Sequence, residues 1–298
     1  MKILVIGANG QLGKSIQKIV SGAKQNNEFV FVGRGELDLS KKESIASYFD
    51  NNNFDVIINC GAYTAVDKAE EEQNLTNQVN HLAVKQLAEI AKEQKAKLIH
   101  ISTDYVFDGE SDKPYIETDK TNPINVYGKT KLAGEKALQA IMSTNAIIIR
   151  TSWLYSEYGN NFVSTMLMLG KERDELNVVN DQIGSPTYAT DLAGAILEII
   201  KSKEFREENQ ATQFYHYSNE GEISWYEFTK EIFKIAKIDC KVIPITTRQY
   251  PTPAKRPRNT VMQNNKIART FGMKIVDWKI SLGLLFEKKV VVNIKTTI

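Results

Sequence analysis

Tyr127 and Lys131 stand four residues apart in Tyr127-Gly-Lys-Thr-Lys131, and on a helix such a pair shares one face. A carbonyl reduction by hydride transfer needs a proton donor beside the oxygen. Tyrosine, with an ordinary pKa of about 10, serves only if a neighbour stabilises its phenolate, as a lysine ammonium one turn on would do. Twelve tyrosines and 30 lysines in 298 residues give about 1.2 such pairs by accident, and a second pair does occur at Tyr226 and Lys230. Context separates the two. Thr103 lies 24 residues before Tyr127 (127 − 103), in Ser102-Thr103-Asp104 at the end of an apolar run, where its hydroxyl could bond the same substrate oxygen. Tyr226 instead follows Trp225 among Phe228, Ile232 and Phe233, the spacing of a helix packed on a core.

The second constellation is Gly7-Ala-Asn-Gly10-Gln-Leu-Gly13, directly after the run Ile3 to Ile6. A pyrophosphate can sit on free N–H groups at a helix N-terminus only where no side chain blocks it, which is the use of glycine there. The spacing is G-x-x-G-x-x-G, unlike the usual G-x-G-x-x-G. Its place after the first strand of a βαβ series makes a dinucleotide site the better reading than a plain tight turn. The first charged residue after the second strand is Arg34. An arginine there suits the 2′-phosphate of NADP, whereas an acid would hold the free ribose of NAD, so NADPH is favoured and NADH left open. Asp38 and Leu39 follow closely. Asn59-Cys60-Gly61-Ala62-Tyr63-Thr64 closes the third strand with small residues, where a ligand can approach; Cys60 itself reads as a small core residue.

Short β-branched runs at Ile3 to Ile6, Phe29 to Val32, Val56 to Asn59, Leu98 to Ser102 and Ala146 to Arg150 must carry these residues. Helical periodicity fills the intervals (Leu12, Ile16 and Ile19; Leu82, Leu87, Ile90 and Ala91). This alternation predicts an α/β fold, a Rossmann-type doubly wound parallel sheet over residues 1–152. Segments 188–201 and 214–218 return to it as a helix and a strand, and the rest of 153–298 forms a smaller, interleaved C-terminal lobe. Lys201 to Gln210 reads as a solvated connector.

The charge balance, 38 Lys plus Arg against 36 Asp plus Glu, leaves +2 and argues against nucleic acid as a partner. The apolar runs fall short of the roughly 18 to 20 residues of a membrane span, and the N-terminus does not read as a signal peptide. With only Cys60 and Cys240, a disulfide framework is not expected and a reducing cytoplasm is. His81, His100 and His216 show no metal spacing. No G-x-S-x-G elbow and no G-x-x-x-x-G-K-[ST] loop occurs.

Gly7 to Gly13, Gly61-Ala62-Tyr63-Thr64-Ala65-Val66-Asp67-Lys68-Ala69-Glu70, Ser102-Thr103-Asp104-Tyr105-Val106-Phe107-Asp108-Gly109, Tyr127 to Lys131 with Leu132-Ala133-Gly134-Glu135, and Arg150-Thr151-Ser152-Trp153 act together. On these stretches the chain resembles the dTDP-4-dehydrorhamnose reductase family of extended short-chain dehydrogenase/reductases, from residue 1 to about residue 280. The resemblance implies NAD(P)H-dependent reduction of the 4-keto group of dTDP-4-dehydro-6-deoxy-L-mannose to dTDP-L-rhamnose, for cell-surface polysaccharide. It implies a cofactor held by the loop at Gly10, Gln11 and Leu12, by Asp38 and Leu39 at the adenine, by Ala62, Tyr63 and Thr64 under phosphates and ribose, and by Lys131 on the nicotinamide ribose. Tyr127 would protonate O4 and Thr103 polarise the carbonyl, with Asp104 and Tyr105 lining the sugar pocket and Trp153 facing the substrate. Arg256, within Lys255-Arg256-Pro257-Arg258, matches the position that meets the substrate pyrophosphate; Lys255 and Arg258 also read as a basic surface turn.

Some members of that family dimerise through magnesium held by acids early in the first helix and after a Pro-Thr of the second lobe. Here those stretches are Lys14-Ser15-Ile16-Gln17 and Pro186-Thr187-Tyr188-Ala189-Thr190, which lack the acids, and a hard cation wants carboxylates. The expectation is a monomer or a metal-independent homodimer, with no metal site. Two other readings stay open on the same scaffold. One is another nucleotide-sugar 4-ketoreductase, or an epimerase or dehydratase, although Tyr105 stands where dehydratases carry the second of an acidic pair. The other is a non-catalytic regulatory subunit of methionine adenosyltransferase, against which the full set Thr103, Tyr127 and Lys131 argues.

Overall fold

The computed structural model describes residues 1–22 and 26–295, with side chains described through residue 287; positions 23–25 and 296–298 of the expected segments lie outside it. The five apolar runs form β1 (Lys2–Ile6), β2 (Glu28–Val32), β3 (Val56–Asn59), β4 (Lys97–Thr103) and β5 (Ala146–Thr151). The run at Phe214 returns as the strand Gln213–Tyr217 beside β5. The resulting sheet has six strands in the order Gln213–Tyr217, β5, β4, β3, β1, β2, every pair parallel.

Strands covered on both sides must be apolar on both faces, and β1 shows this residue by residue. Ile3 and Val5 pack with Leu12 and Ile16 of α1 (Gln11–Ser21) and with Leu192 and Ile196 of the helix Ala189–Lys201. Leu4 and Ile6 enter the opposite core with Ile45, Leu87 and Leu138. From β1 the chain goes to β2 on one side and then crosses to β3 on the other. The strand order therefore reverses between β1 and β3, and their carboxyl ends open a crevice of the kind in which doubly wound sheets bind ligands.

A third core, with Tyr155, Val163, Phe228, Ile232 and Trp278, belongs to later elements. These are the helices Phe162–Glu172, Trp225–Ala236 and Trp278–Lys295 and the parallel strands Glu175–Val179 and Lys241–Ile245. Lys201 to Gln210 is exposed along most of its length, as expected of a solvated connector, with one exception at Phe205. Lys203–Arg206 forms a helical turn that carries Phe205, only 5% exposed, into the core beside α1. One aromatic in a charged stretch is enough, because burying it gains more than leaving the turn in water. Among the described residues no helix is long and apolar enough to cross a membrane.

Candidate active site

A cleft of about 700 Å³ lies at the carboxyl ends of β1, β3, β4 and β5, and it brings the two sequence constellations together. Gly7, Gly10, Gln11 and Leu12 line it, as do Ala62 and Thr64, and so do Thr103, Asp104, Tyr105, Tyr127, Lys131 and Trp153.

The glycine loop is shaped by close approach. Gly7 has φ +82°, and a Cβ there would lie 2.8 Å from the Gly61 nitrogen, so the loop presses on the end of β3. Gly13 is buried, and a Cβ on it would collide with the Gly7 carbonyl. Gly10 is the N-cap of α1 and no side chain caps that helix. Its first N–H groups are thus left for an external acceptor at the wall that Gly10, Gln11 and Leu12 form. A pyrophosphate fits this arrangement. Leu12 is itself core, 4% exposed. The Gln11 side chain turns to the later elements, accepting from Ser156 Oγ at 2.8 Å and Asn161 Nδ2 at 3.1 Å.

A smaller cavity of about 190 Å³ adjoins the loop, lined by Gly33, Arg34, Asp38, Leu39, Ala62 and Tyr63 among others. Its walls are mostly apolar, as an adenine requires. Arg34 is largely exposed, its Nε 3.4 Å from Asp38 Oδ1. The Asp38 carboxylate also accepts from Ser40 N and Oγ, at 3.0 and 2.7 Å. The backbone of Tyr63 is pinned at both ends by Asn80, which accepts from Tyr63 N at 2.8 Å and donates to its carbonyl at 3.0 Å.

Tyr127 enters the cleft from the first turn of the helix Val126–Ile141, whose N-cap Asn125 accepts from Gly128 N at 2.8 Å. Tyr105 stands edge-on to it, ring centroids 5.8 Å apart. Burial pushes the Tyr127 phenol up to about 12, the Thr103 hydroxyl pulls it down and the Asp104 charge pushes it up. At neutral pH the phenol therefore holds its proton. Lys131 shares the cleft, 1% exposed, and its amino group is anchored on β4. Nζ donates to the Ile101 carbonyl at 2.6 Å and lies 3.3 Å from His100 Nε2. The neighbour that favours ionisation of Tyr127 is Thr103. Burial pulls Lys131 down to about 8, against the nearby Glu135 charge, which supports its ammonium.

Thr103 Oγ1 donates to Asp104 Oδ1 at 2.9 Å and accepts from Tyr105 N at 3.2 Å. Asp104 is 2% exposed, and burial raises it to about 6 although Thr260 and Thr103 ease its charge. Cys60 is less enclosed than a plain core residue, since it lines the cleft; burial raises its thiol to about 12. Arg256 does not line the cleft. Its guanidinium is paired to Asp67 at 3.0 and 2.7 Å. Of its neighbours, Lys255 is exposed and Arg258 pairs with Asp112 at 2.9 Å. Tyr226 lies outside the cleft, its ring under the Lys230 ammonium at 5.3 Å.

A family model described as the RmlD substrate binding domain matches residues 1–290. A dTDP-4-dehydrorhamnose reductase of Aggregatibacter actinomycetemcomitans is 42% identical over 287 residues, 94% of this chain and 97% of that one. The chain belongs to the dTDP-4-dehydrorhamnose reductase family. A solved dTDP-4-dehydrorhamnose reductase from Clostridium acetobutylicum superposes with a TM-score of 0.90 at 44% identity, covering 96% of this chain and 99% of that one. One from Bacillus anthracis, in complex with NADP, gives 0.88 at 38% identity over 96% and 99%.

Within this member of the family, several residues at the site had not been singled out from the sequence. Asn59, 1% exposed, accepts from Gly61 N at 3.0 Å and reaches His100 Nδ1 at 3.2 Å, so β3 and β4 are joined behind Lys131. A polar residue inside each of two apolar strands was the available signal. Trp225 lines the cleft, but in the sequence it reads as one more aromatic on a helix.

Proposed function

We propose that the chain reduces the 4-keto group of dTDP-4-dehydro-6-deoxy-L-mannose to give dTDP-L-rhamnose, with NADPH as the preferred reductant and NADH as the other candidate. The observation that carries this reading is the meeting of the uncapped glycine loop with Thr103, Tyr127 and Lys131 in one cleft. Gly7, Gly10, Gln11, Leu12 and Gly13 form the pyrophosphate seat; Arg34, Asp38 and Leu39 take the adenosine end and Ala62, Tyr63 and Thr64 the floor. Bound NADPH supplies a hydride to C4 of the sugar.

The chain's own part is to manage the proton and the geometry. Tyr127 gives its phenolic proton to O4, turning the ketone into an alcohol. Thr103 has one hydroxyl hydrogen and two claimants, Asp104 Oδ1 and the Tyr127 oxygen; turned inward, it steadies the charge that gathers on these oxygens. Lys131, anchored on Ile101 and His100, directs a buried amino group to the nicotinamide ribose. Asp104 and Tyr105 line the sugar pocket, Trp153 bounds it, and Arg256 is the cation for the substrate pyrophosphate.

The test mixes the protein with the 4-keto sugar, made in situ by an epimerase, and with NADPH or NADH. Loss of reduced-cofactor absorbance together with dTDP-L-rhamnose as product is expected. A sugar epimerised or dehydrated with no net cofactor oxidation would overturn the reading. We place the reaction in the cytoplasm, where its nucleotide reactants and the free thiols Cys60 and Cys240 belong. The chain acts as a monomer or a metal-independent homodimer: Asp191, the first acid after Pro186-Thr187, already accepts from Asn219 Nδ2 at 2.8 Å. A dimer whose mass falls to the monomer's on adding EDTA would contradict this.

A further inference from the structure

The ring that bounds the sugar end of the cleft, Trp153, is clamped. Its backbone has φ +47°, a conformation that a bulky side chain adopts only when its surroundings impose it. The Trp225 indole stacks on it with centroids 3.3 Å apart and planes within 8°. Gly184 lies against it as well. A Cβ there would sit 2.6, 2.7 and 2.8 Å from Cε2, Nε1 and Cζ2 of the indole. Nearly equal distances to three ring atoms put Gly184 over a face, and Trp225 fills the other. Local pairing sets this slot: Ile223 pairs with Gly184, and Ser224, next in the chain, caps the helix that begins at Trp225. Phe162 then backs Trp225 at 4.3 Å. With both faces of Trp153 covered, only the rims of the stacked rings are left for the cleft that both tryptophans line.

We propose that Trp225 is a positioning residue for the hexose of a nucleotide-sugar substrate, acting by holding Trp153 so that the sugar meets the rigid rim of an indole pair and not the face of one mobile ring. The inference rests on the function proposed above and adds a residue to it. The fixed rim gives the hexose a preformed wall that it meets alike in the ground state and in the transition state. Its loss acts on sugar binding while leaving the glycine loop and the nicotinamide side unchanged.

The chain has three tryptophans, so its indole N–H resonances can be assigned by substitution. In the wild type the Trp153 resonance should be displaced by the ring current of Trp225. Trp225→Leu should return it toward the position of an unstacked indole and raise KM for the 4-keto sugar about tenfold, with kcat and KM for NADPH within about twofold. Trp225→Phe, which keeps a ring, should lie between. Should Trp225→Leu not fold, Gly184→Ala presses the same ring from its other side and is expected to raise the sugar KM likewise. A folded Trp225→Leu or Gly184→Ala protein with a moved Trp153 resonance and an unchanged sugar KM overturns the proposal, as does a wild-type resonance without ring-current displacement. Wild-type protein that oxidises no NADPH with the 4-keto sugar is a separate failure, of the underlying function and of this inference together.

Discussion

Arg256 and Asp67 hold each other at two points, Nη1 to Oδ1 at 3.0 Å and Nη2 to Oδ2 at 2.7 Å, across 189 positions of chain. The pair ties the segment after β3 to a loop of the C-terminal half. Asp67 also accepts from Ala254 N at 3.2 Å, so its carboxylate organises the loop as well as the guanidinium. The cation proposed for the substrate diphosphate is thus held in place before its ligand arrives, and such preorganisation lowers the cost of binding.

Asp67→Ala should therefore raise KM for the nucleotide sugar by about three- to tenfold, with kcat and KM for NADPH little changed. Both side chains are partly exposed, so a small effect on melting temperature is expected. Steady-state kinetics decide it. A sugar KM that stays put or falls would mean that the carboxylate competes with the substrate for Arg256.

Tyr127→Phe removes the proton that is proposed to pass to O4. General-acid catalysis contributes roughly 10² to 10⁴ in rate, so kcat should drop by at least that range while NADPH titrations give an unchanged Kd. Rates near wild type in this variant would show that another group, with Thr103 the first suspect, supplies the proton.

Tyr127, Lys131, Thr103 and the glycine loop were legible because each is a local pattern: a four-residue spacing, a strand end, a run of glycines after an apolar stretch. The six-strand sheet was legible for the same reason, since β1 buries consecutive residues on alternate faces. What the spacing could not carry is direction. Tyr127 and Lys131 do share a helix face and a cleft, yet the ammonium is claimed by Ile101 and His100. That outcome depends on β4, some 30 positions away, and on which acceptors burial leaves within reach. Asn59, Trp225 and Asp67 share this character. Each acts through a partner far along the chain, and alone each reads as core or surface.

Behind Lys131, Glu135 and Arg150 form a buried pair. Arg150 Nε donates to Glu135 Oε1 at 3.0 Å and Nη2 to Oε2 at 2.7 Å, the arginine side chain 4% and the glutamate 1% exposed. Phe107 and Phe214 sandwich the guanidinium at 5.2 and 5.0 Å. Breaking one side of such a pair leaves a bare buried charge, at a cost of about 3–5 kcal/mol. Glu135→Gln should lose that much in urea unfolding, whereas the double variant Glu135→Leu with Arg150→Met should recover most of it. A double variant as unstable as the single one would show that the pair sets the local packing and does more than neutralise itself.

Asp104 offers the test in which stability and pH are read together. Its carboxyl is raised to about 6 in the fold, against about 3.9 in an unfolded chain. Between these values the folded state binds the proton more tightly, so wild-type stability falls as pH rises through this window and the whole penalty stands above pH 6. The difference corresponds to about 1–3 kcal/mol once relaxation of the buried site is allowed for. Asp104→Asn cannot ionise and keeps an oxygen for the Thr103 hydroxyl. It should melt higher than wild type at pH 8, by a margin that shrinks below pH 6 and vanishes near pH 4. The same change fixes the Thr103 hydrogen on an uncharged partner, so activity should lose its dependence on the Asp104 titration. Melting curves of the two proteins across that range settle the matter: a difference that does not vary with pH would mean that Asp104 is ionised at no cost, and that its burial among Thr103 and Thr260 is fully compensated by their hydroxyls.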